Sequence, residues 1–122
     1  MLTVTWVKSI QNTWLRLDES NNDLTEDHPI GVYVVWHGGQ TPRTVRVGKG
    51  DIRKLLASHR ADPDIRAYTS YDPLYGPLYV TWAPVSPANL DAVERFLADK
   101  LHPLVGECPE VSPLSVNLPW AA

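Results

Sequence analysis

The chain of 122 residues has the length of one domain, and its 43% hydrophobic and 20% charged residues are ordinary for a globular protein. This composition argues against overall disorder, and no apolar run approaches the roughly 18 to 20 residues of a membrane helix, so we expect no membrane association. The N-terminus lacks the apolar core of a secretory signal and Cys108 is the single cysteine, so we expect a cytoplasmic protein without an internal disulfide.

The charged residues are unevenly distributed along the chain. The net charge is −3, yet seven of the eleven lysines and arginines lie between Arg43 and Arg66, where only three aspartates oppose them. Phosphate binding depends on the local potential rather than on the total charge, so this segment is a candidate surface for nucleic acid. A solvated helix face is the alternative interpretation.

The first predicted elements in chain order are β-rich. Thr3–Val7 and Thr13–Leu17 are short β-branched or aromatic runs, which predict an N-terminal hairpin. Val32–Trp36 (VYVVW) lies between glycines and predicts a buried strand followed by a turn.

Thr41–Val47 has the alternation of the second strand of a hairpin. A regular strand here predicts one face that carries Arg43, Val45 and Val47, and an opposite face that carries Thr44 and Arg46.

The second half of the chain predicts two helices separated by a strand. Asp51–Ala61 has the apolar spacing of a helix with Asp51 as its N-cap, and Leu78–Trp82 predicts a central strand. Ser86 and the proline after it open a second helix, which ends before Pro103. Its apolar stripe consists of Leu90, Val93, Leu97 and Leu101.

The order β-β-α-β-α predicts an α/β domain of the α+β type. We expect a small antiparallel or mixed sheet with helices packed on it, plus the N-terminal hairpin. The whole chain, residues 1–122, is expected to form a single domain. Its parts are an extension over residues 1–28, a core over 29–103 and a proline-rich tail over 104–122.

Two tripeptides, Gly31-Val32-Tyr33 and Arg46-Val47-Gly48, followed by a helix, resemble the start of a GIY-YIG nuclease domain. That family places a Gly-Ile-Tyr-like strand beside a Tyr-Ile-Gly-like strand, then a helix that ends in Arg-Leu-x-x-His, matched here by Leu55 to His59. Glu94 in the second helix is similar to the glutamate of a later family helix. The resemblance covers Gly31 to Pro103, with an extension toward Trp120.

The chain departs from the family pattern at three positions. Arg46 stands where the second tyrosine is expected, and Leu55 stands where the helix arginine is expected. The family's asparagine position corresponds to Gly106 by spacing or to Asn117 by local context, and the sequence leaves both open.

The resemblance implies hydrolysis of a phosphodiester with one divalent metal ion, Mg²⁺ or Mn²⁺. It implies that Glu94 holds the metal, that Tyr33 orients the water, and that His59, Arg46 and Asn117 line the same pocket. We therefore expect Tyr33 and Glu94 to face each other across one cleft. The alternatives are a core-filling tyrosine, a structural histidine and a solvent-facing glutamate.

We expect nucleic acid, DNA rather than RNA, to bind along Lys49, Arg53, Lys54 and Arg60. Leu55 removes a phosphate cation, a loss that typically lowers the rate about 10²- to 10³-fold, so cleavage is expected to be weak or lost. The first alternative is an inactive protein-interaction module on the same fold, whose partner binds the acidic surface and the tail. The second is a working nuclease that uses the altered residue set.

Overall fold

The computed structural model describes residues 2–7, 15–16, 30–37, 43–52, 54–55, 78–104 and 111–119. These residues form an α+β fold. A four-stranded antiparallel sheet has the order β1-β4-β2-β3, and a 3₁₀ turn leads into the helix α1. The bounds are Leu15–Arg16 for β1, Ile30–His37 for β2, Arg43–Asp51 for β3, Leu78–Pro84 for β4, Pro87–Asn89 for the 3₁₀ turn and Leu90–Leu101 for α1.

The central strand β2 is buried on both faces of the sheet, because β3 and β4 flank it and apolar clusters cover each face. This explains its continuous apolar sequence, which the strand prediction rested on. The three central strands were thus predicted correctly, although each is longer than its apolar run. Among the described residues, no helix is long and apolar enough to cross a bilayer.

The two faces of the sheet carry separate cores. On the helix face, Val32, Val34 and Val47 pack against Val93 and Leu97 of α1. On the tyrosine face, the buried cluster consists of Tyr33, Val35, Val45, Ile52, Leu78, Val80 and Trp82. Alternation along β2 produces this division, since successive side chains of a strand point to opposite faces.

The predicted regular alternation of β3 is wrong because the strand contains a β-bulge. The register with β2 shifts between Val35 and Trp36, which lie opposite Arg46 and Thr44, so Val45 is the extra residue. Val45 packs on the tyrosine face whereas Val47 packs on the helix face. A bulge of this kind re-aims the side chains on one side of it.

Helix α1 follows its predicted stripe. Val93 and Leu97 are buried, together with Glu94 and Ala98. The α-helical turns begin later than predicted, because Pro87–Asn89 adopts a 3₁₀ turn and Ser86 makes no side-chain cap bond. The helix ends at Leu101, and its C-cap His102 adopts the left-handed conformation, with φ of 49°, just before Pro103.

A helical turn begins directly after β3. Ile52, Lys54 and Leu55 are helical, and the Asp51 carboxylate accepts a hydrogen bond from the Lys54 backbone N–H at 3.2 Å. This bond confirms Asp51 as the predicted N-cap. Residues 56–61 of the predicted helix lie outside the described part of the chain.

The two terminal segments pack together over the helix face. Leu2 bridges to Val116 in parallel, and its backbone N–H donates to Ser115 O at 2.9 Å. Val4 and Val116 are buried in the helix-face core, so the described parts of the extension and of the tail belong to the same core as the sheet.

The predicted N-terminal hairpin is not confirmed. In the described part of it, β1 pairs with β4, and Val7 donates its backbone N–H to Trp82 O at 2.9 Å. Residues 8–14 lie outside the described residues.

Candidate functional site

Tyr33 and Arg46 form a side-chain pair on the tyrosine face. The Arg46 Nε donates a hydrogen bond to the Tyr33 hydroxyl at 3.2 Å. Tyr33 is almost fully buried, whereas Arg46 is half-buried, so a buried tyrosine hydroxyl anchors a guanidinium that reaches solvent. Because the bond uses only Nε, the two terminal NH₂ groups keep the fork that binds oxyanions in a bidentate manner.

The absence of an acidic partner among the described residues distinguishes Arg46 from an ordinary structural arginine. Within the described residues its guanidinium contacts no carboxylate and makes no hydrogen bond other than the one to Tyr33. A half-buried cation without a counter-ion is a candidate site for an anion from solution.

Gly48 provides the space for this pair. It lies directly opposite Tyr33 in the register of β2 and β3, and a Cβ at this position would overlap the Tyr33 hydroxyl and ring. The glycine of the second tripeptide is thus required for close approach of the tyrosine ring to the β3 backbone.

Glu94 is bound by a cation from the sheet. The Lys49 Nζ lies 2.8 Å from Glu94 Oε2 and 2.8 Å from Asp91 Oδ1. The Glu94 side chain is only 8% exposed, against 35% for Lys49 and 58% for Asp91. The pair ties β3 to α1 and neutralises a carboxylate that would otherwise be buried alone.

The two carboxylates also affect the titration of the lysine. Hydrogen bonds first to Asp91 and then to Glu94 raise the pKa of Lys49 above its ordinary value of 10.5, since both partners favour the charged ammonium. Lys49 is therefore held as a cation between two anions. Its charge is largely compensated, so it attracts an external phosphate less strongly than Arg46 does.

The structure does not bring Tyr33 and Glu94 together, and the expectation of a shared cleft is wrong. Lys49, the partner of Glu94, lies opposite Val32 in the register, and Val32 points to the helix face. Tyr33 is the next residue of β2 and points to the tyrosine face. The sheet therefore separates the ring from the carboxylate.

Asn117 is engaged with the N-terminal segment rather than with a pocket. Its side-chain Oδ1 accepts from the Val4 N–H at 2.7 Å, and its Nδ2 donates to Val4 O at 2.9 Å. Its backbone carbonyl accepts from the Trp6 indole N–H at 2.9 Å. The side-chain amide thus makes the same pair of hydrogen bonds to Val4 that a neighbouring β-strand would make. Asn117 therefore has a structural role here and not the expected role in a pocket with Tyr33.

The remaining predicted site residues are only partly described. Lys54 is exposed on the turn after β3, and Leu55 packs against the tyrosine-face cluster, where the family has an arginine. Arg53, His59, Arg60 and Gly106 lie outside the described residues.

Comparison of the chain with protein-family models, curated proteins and solved structures finds no match.

In the described part of the chain, Glu94 and Asp91 hold a lysine ammonium in the position that a divalent metal ion would need. Among the described residues, no three histidine, cysteine, aspartate or glutamate side chains are grouped to hold a metal. A cation that approached Glu94 Oε2 would have to displace the Lys49 ammonium, which already occupies the position between Glu94 and Asp91.

Sequence reasoning missed the partnership of Lys49 with Asp91 and Glu94. The isolated position of Glu94 on an apolar stripe, with no cation one turn away on the helix, indicated that a partner from another element was needed. The register that identifies this partner as Lys49 depends on the bulge in β3, and the sequence did not predict the bulge.

Proposed function

We propose that this chain is a GIY-YIG-nuclease-like protein that binds nucleic acid through its sugar–phosphate backbone and has weak or no phosphodiester hydrolysis. The observation that carries the proposal is the Arg46 guanidinium, which is fixed by the Tyr33 hydroxyl at 3.2 Å and has no carboxylate partner among the described residues. We also propose a cytoplasmic location, as the single cysteine of the chain suggests.

The arrangement of the two tripeptides supports the kinship, whereas the separation of Glu94 from Tyr33 by the sheet opposes it. Tyr33 lies opposite Gly48 on adjacent antiparallel strands, and Arg46 stands at the position of the family's second tyrosine and contacts Tyr33. A helical turn capped by Asp51 follows the second tripeptide, in the order that the resemblance implies.

Phosphate is the ligand that best suits Arg46. A guanidinium is always charged and presents a planar set of donors that matches two oxygens of a phosphate. The hydrogen bond from Nε to the buried Tyr33 hydroxyl already restricts the Arg46 rotamers. Arg46 therefore loses less conformational entropy on binding a ligand than a flexible surface arginine does. We propose that the nucleic acid is DNA rather than RNA, as expected from the sequence, and the binding experiment compares the two.

Weak or absent hydrolysis is supported by three features of the chain. Leu55 lacks the phosphate cation, Glu94 is paired with Lys49, and the sheet lies between Glu94 and Tyr33. Mg²⁺ or Mn²⁺ would support cleavage only if a carboxylate near the phosphate held the metal ion. Glu94 is on the helix face, away from a phosphate bound at Arg46.

A catalytically inactive protein-interaction module is the second candidate, favoured by the acidic net charge of −3. Nucleic acid is preferred because three described cations without a described carboxylate partner, Arg43, Arg46 and Lys54, lie together on β3 and the turn after it, where a polyanion is attracted locally.

The test is equilibrium binding of fluorescent single-stranded and duplex DNA and RNA, measured by anisotropy over a range of salt concentrations. We expect affinity to fall steeply with salt and to be reduced by Arg46→Gln and by Lys54→Glu. The matched control is Lys100→Gln, which removes an exposed cation on α1 and should leave the affinity unchanged.

Two other outcomes would change the assignment. Absence of salt-dependent binding to every nucleic acid, with capture of an acidic or neutral peptide instead, would favour the interaction module. Mg²⁺- or Mn²⁺-dependent cleavage that Glu94→Ala abolishes would show a working nuclease and overturn the proposed loss of activity.

A further inference from the structure

The β-bulge in β3 determines where two arginines point. Val45 and Arg46 together lie opposite the single residue Val35, and both side chains are on the tyrosine face. Val45 packs in the tyrosine-face cluster, and Arg46 reaches the Tyr33 hydroxyl.

The bulge also brings Arg43 onto this face. Arg43 lies opposite His37, and His37 follows Tyr33 and Val35 in the alternation of β2. On its other side, His37 pairs with Leu78, a member of the tyrosine-face cluster. In a strand without a bulge, positions 43 and 46 would point to opposite faces, because they are an odd number of residues apart.

The register gives the spacing of the two arginines. Their partners His37 and Val35 are two residues apart on β2, so the Arg43 and Arg46 backbones lie about 7 Å apart along the strand direction. The figure is the distance between backbones, because the Arg46 side chain reaches toward Tyr33, away from Arg43. Two long side chains on one face can therefore contact successive phosphates of one nucleic-acid strand.

Neither arginine is neutralised by a carboxylate of the described residues. Arg43 is exposed and Arg46 is half-buried, and neither contacts a carboxylate among the described residues. Two like charges on one face of a sheet repel each other weakly in water, and an anion that bridges them removes this repulsion. Lys49, in contrast, contacts two carboxylates, those of Asp91 and Glu94.

We propose that Arg43 and Arg46 form a two-phosphate site, which binds two phosphates of one nucleic-acid strand at the tyrosine face. This inference rests on the proposed function and adds a requirement for ligand length. Arg46, anchored by Tyr33, binds one phosphate, and Arg43, exposed at the first position of β3, binds a second. A ligand with a single phosphate engages only the first.

A nucleic-acid strand fits this site better than an acidic peptide. Each nucleotide carries a phosphate, so a strand presents charge at regular steps, and Lys54 on the turn after β3 extends the cationic surface beyond the two arginines. Guanidinium groups also match the oxygens of phosphate in a bidentate geometry.

The experiment compares ligands with one and with two phosphates on the full chain. Thymidine 5′-monophosphate and a 5′-phosphorylated thymidine dinucleotide compete against a labelled thymidine oligonucleotide of about 12 nucleotides, a length within the usual site sizes of single-strand binders. The proteins are the unaltered chain, Arg43→Ala, Arg46→Ala and the control Lys100→Ala. Thermal unfolding of each variant is recorded in parallel, and Arg43→Ala is expected to fold normally because Arg43 is exposed.

We expect the unaltered chain and Lys100→Ala to bind the dinucleotide roughly tenfold more tightly than the monophosphate, as one added charge-assisted contact predicts. Arg43→Ala should lose this gain and keep the affinity for the monophosphate, whereas Arg46→Ala should weaken both ligands. For the longer oligonucleotide, Arg43→Ala should reduce the salt slope by about 0.7, the value for one phosphate contact with a single strand.

The failure of this inference is distinguishable from failure of the proposed function. If the oligonucleotide binds and Arg46→Ala weakens it, but Arg43→Ala behaves like Lys100→Ala, the two-phosphate site is wrong and the proposed function stands. If no nucleic acid binds at all, both are overturned. If a glutamate-rich peptide binds more tightly than the oligonucleotide and depends on the same arginines, the site belongs to a peptide partner and the inference is also wrong.

Discussion

The Lys49 ammonium lies 2.8 Å from the Glu94 carboxylate and joins the edge strand β3 to helix α1. The carboxylate is buried, and Asp91 contacts the same ammonium from the preceding turn of the helix. The glutamate that resembles a metal ligand in sequence is therefore part of an internal ion pair, on the face of the sheet opposite to Tyr33.

Removal of Lys49 is expected to destabilise the fold. Lys49→Met leaves Glu94 buried without its partner, and we expect a loss of about 2 kcal/mol in the free energy of unfolding, less than for a fully buried pair because Lys49 is partly exposed. The check is urea denaturation, with Lys100→Met as the matched control, expected to cost less than about 0.5 kcal/mol. The double variant Lys49→Met with Glu94→Gln should recover part of the loss. An equal cost for both lysines would contradict the role of the pair.

The same ion pair predicts a pH dependence at the alkaline end. The pKa of Lys49 is raised in the folded state, first by Asp91 and then by Glu94, so its stabilising contribution is complete below 10.5 and is lost as the pH rises through the folded pKa. Lys49→Arg remains charged in this range. We expect the unaltered chain to lose stability relative to Lys49→Arg above about pH 10.5, measured as unfolding free energy across the range. Parallel pH curves for the two proteins would refute this.

Gly48 is expected to tolerate no side chain while Tyr33 is present. A Cβ at position 48 overlaps the tyrosine ring, so Gly48→Ala should cost about 2 kcal/mol or more through displacement of Tyr33. In a Tyr33→Leu background the ring is absent, and the added cost of Gly48→Ala should be smaller. Thermal and urea unfolding of the four proteins give the coupling energy. Additive costs would show that the two residues do not interact.

Asn117 is expected to matter for stability and not for binding. Asn117→Ala leaves the N–H and carbonyl of Val4 without their partners, and we expect a loss of about 2 to 3 kcal/mol. Asn117→Asp keeps an acceptor for the Val4 N–H, but its second carboxylate oxygen would face the Val4 carbonyl oxygen and repel it. This variant should therefore also destabilise the fold. The affinity of the folded variants for oligonucleotides should equal that of the unaltered chain. A fall in affinity without a loss of stability would restore Asn117 to the binding site.

The sequence predicted the three central strands and α1 because continuous apolar runs and a helical stripe are local signals. It also predicted the Asp51 cap, since that bond spans only three residues. It failed on the faces of β3, because one extra residue at Val45 reverses the alternation on one side, and a bulge depends on pairing with β2 rather than on the sequence of β3 alone.

The candidate site was predicted only in part, because local patterns do not determine how distant segments pack. The resemblance implied that Tyr33 and Arg46 share a pocket, and the two side chains are in contact. The sequence indicates the hairpin that makes their strands neighbours, whereas the face of Arg43 relative to Arg46 depends on the bulge. The separation of Glu94 from Tyr33 depends on which face of the sheet α1 covers. That choice is made by packing between distant segments, including the N- and C-terminal runs around Val4 and Val116, and local patterns do not specify it.

The most direct test of the central claim is the NMR signal of the Arg46 Nε–Hε group during titration with an oligonucleotide. Its hydrogen bond to Tyr33 should make this group observable, and phosphate binding at the guanidinium should shift it together with the backbone amides of Tyr33 and Gly48. We predict saturable shifts there, and little change around Glu94 and Asp91 on α1. Shifts confined to α1 and Lys49, with the Arg46 signal unmoved, would contradict the assignment of the tyrosine face as the site of nucleic-acid binding.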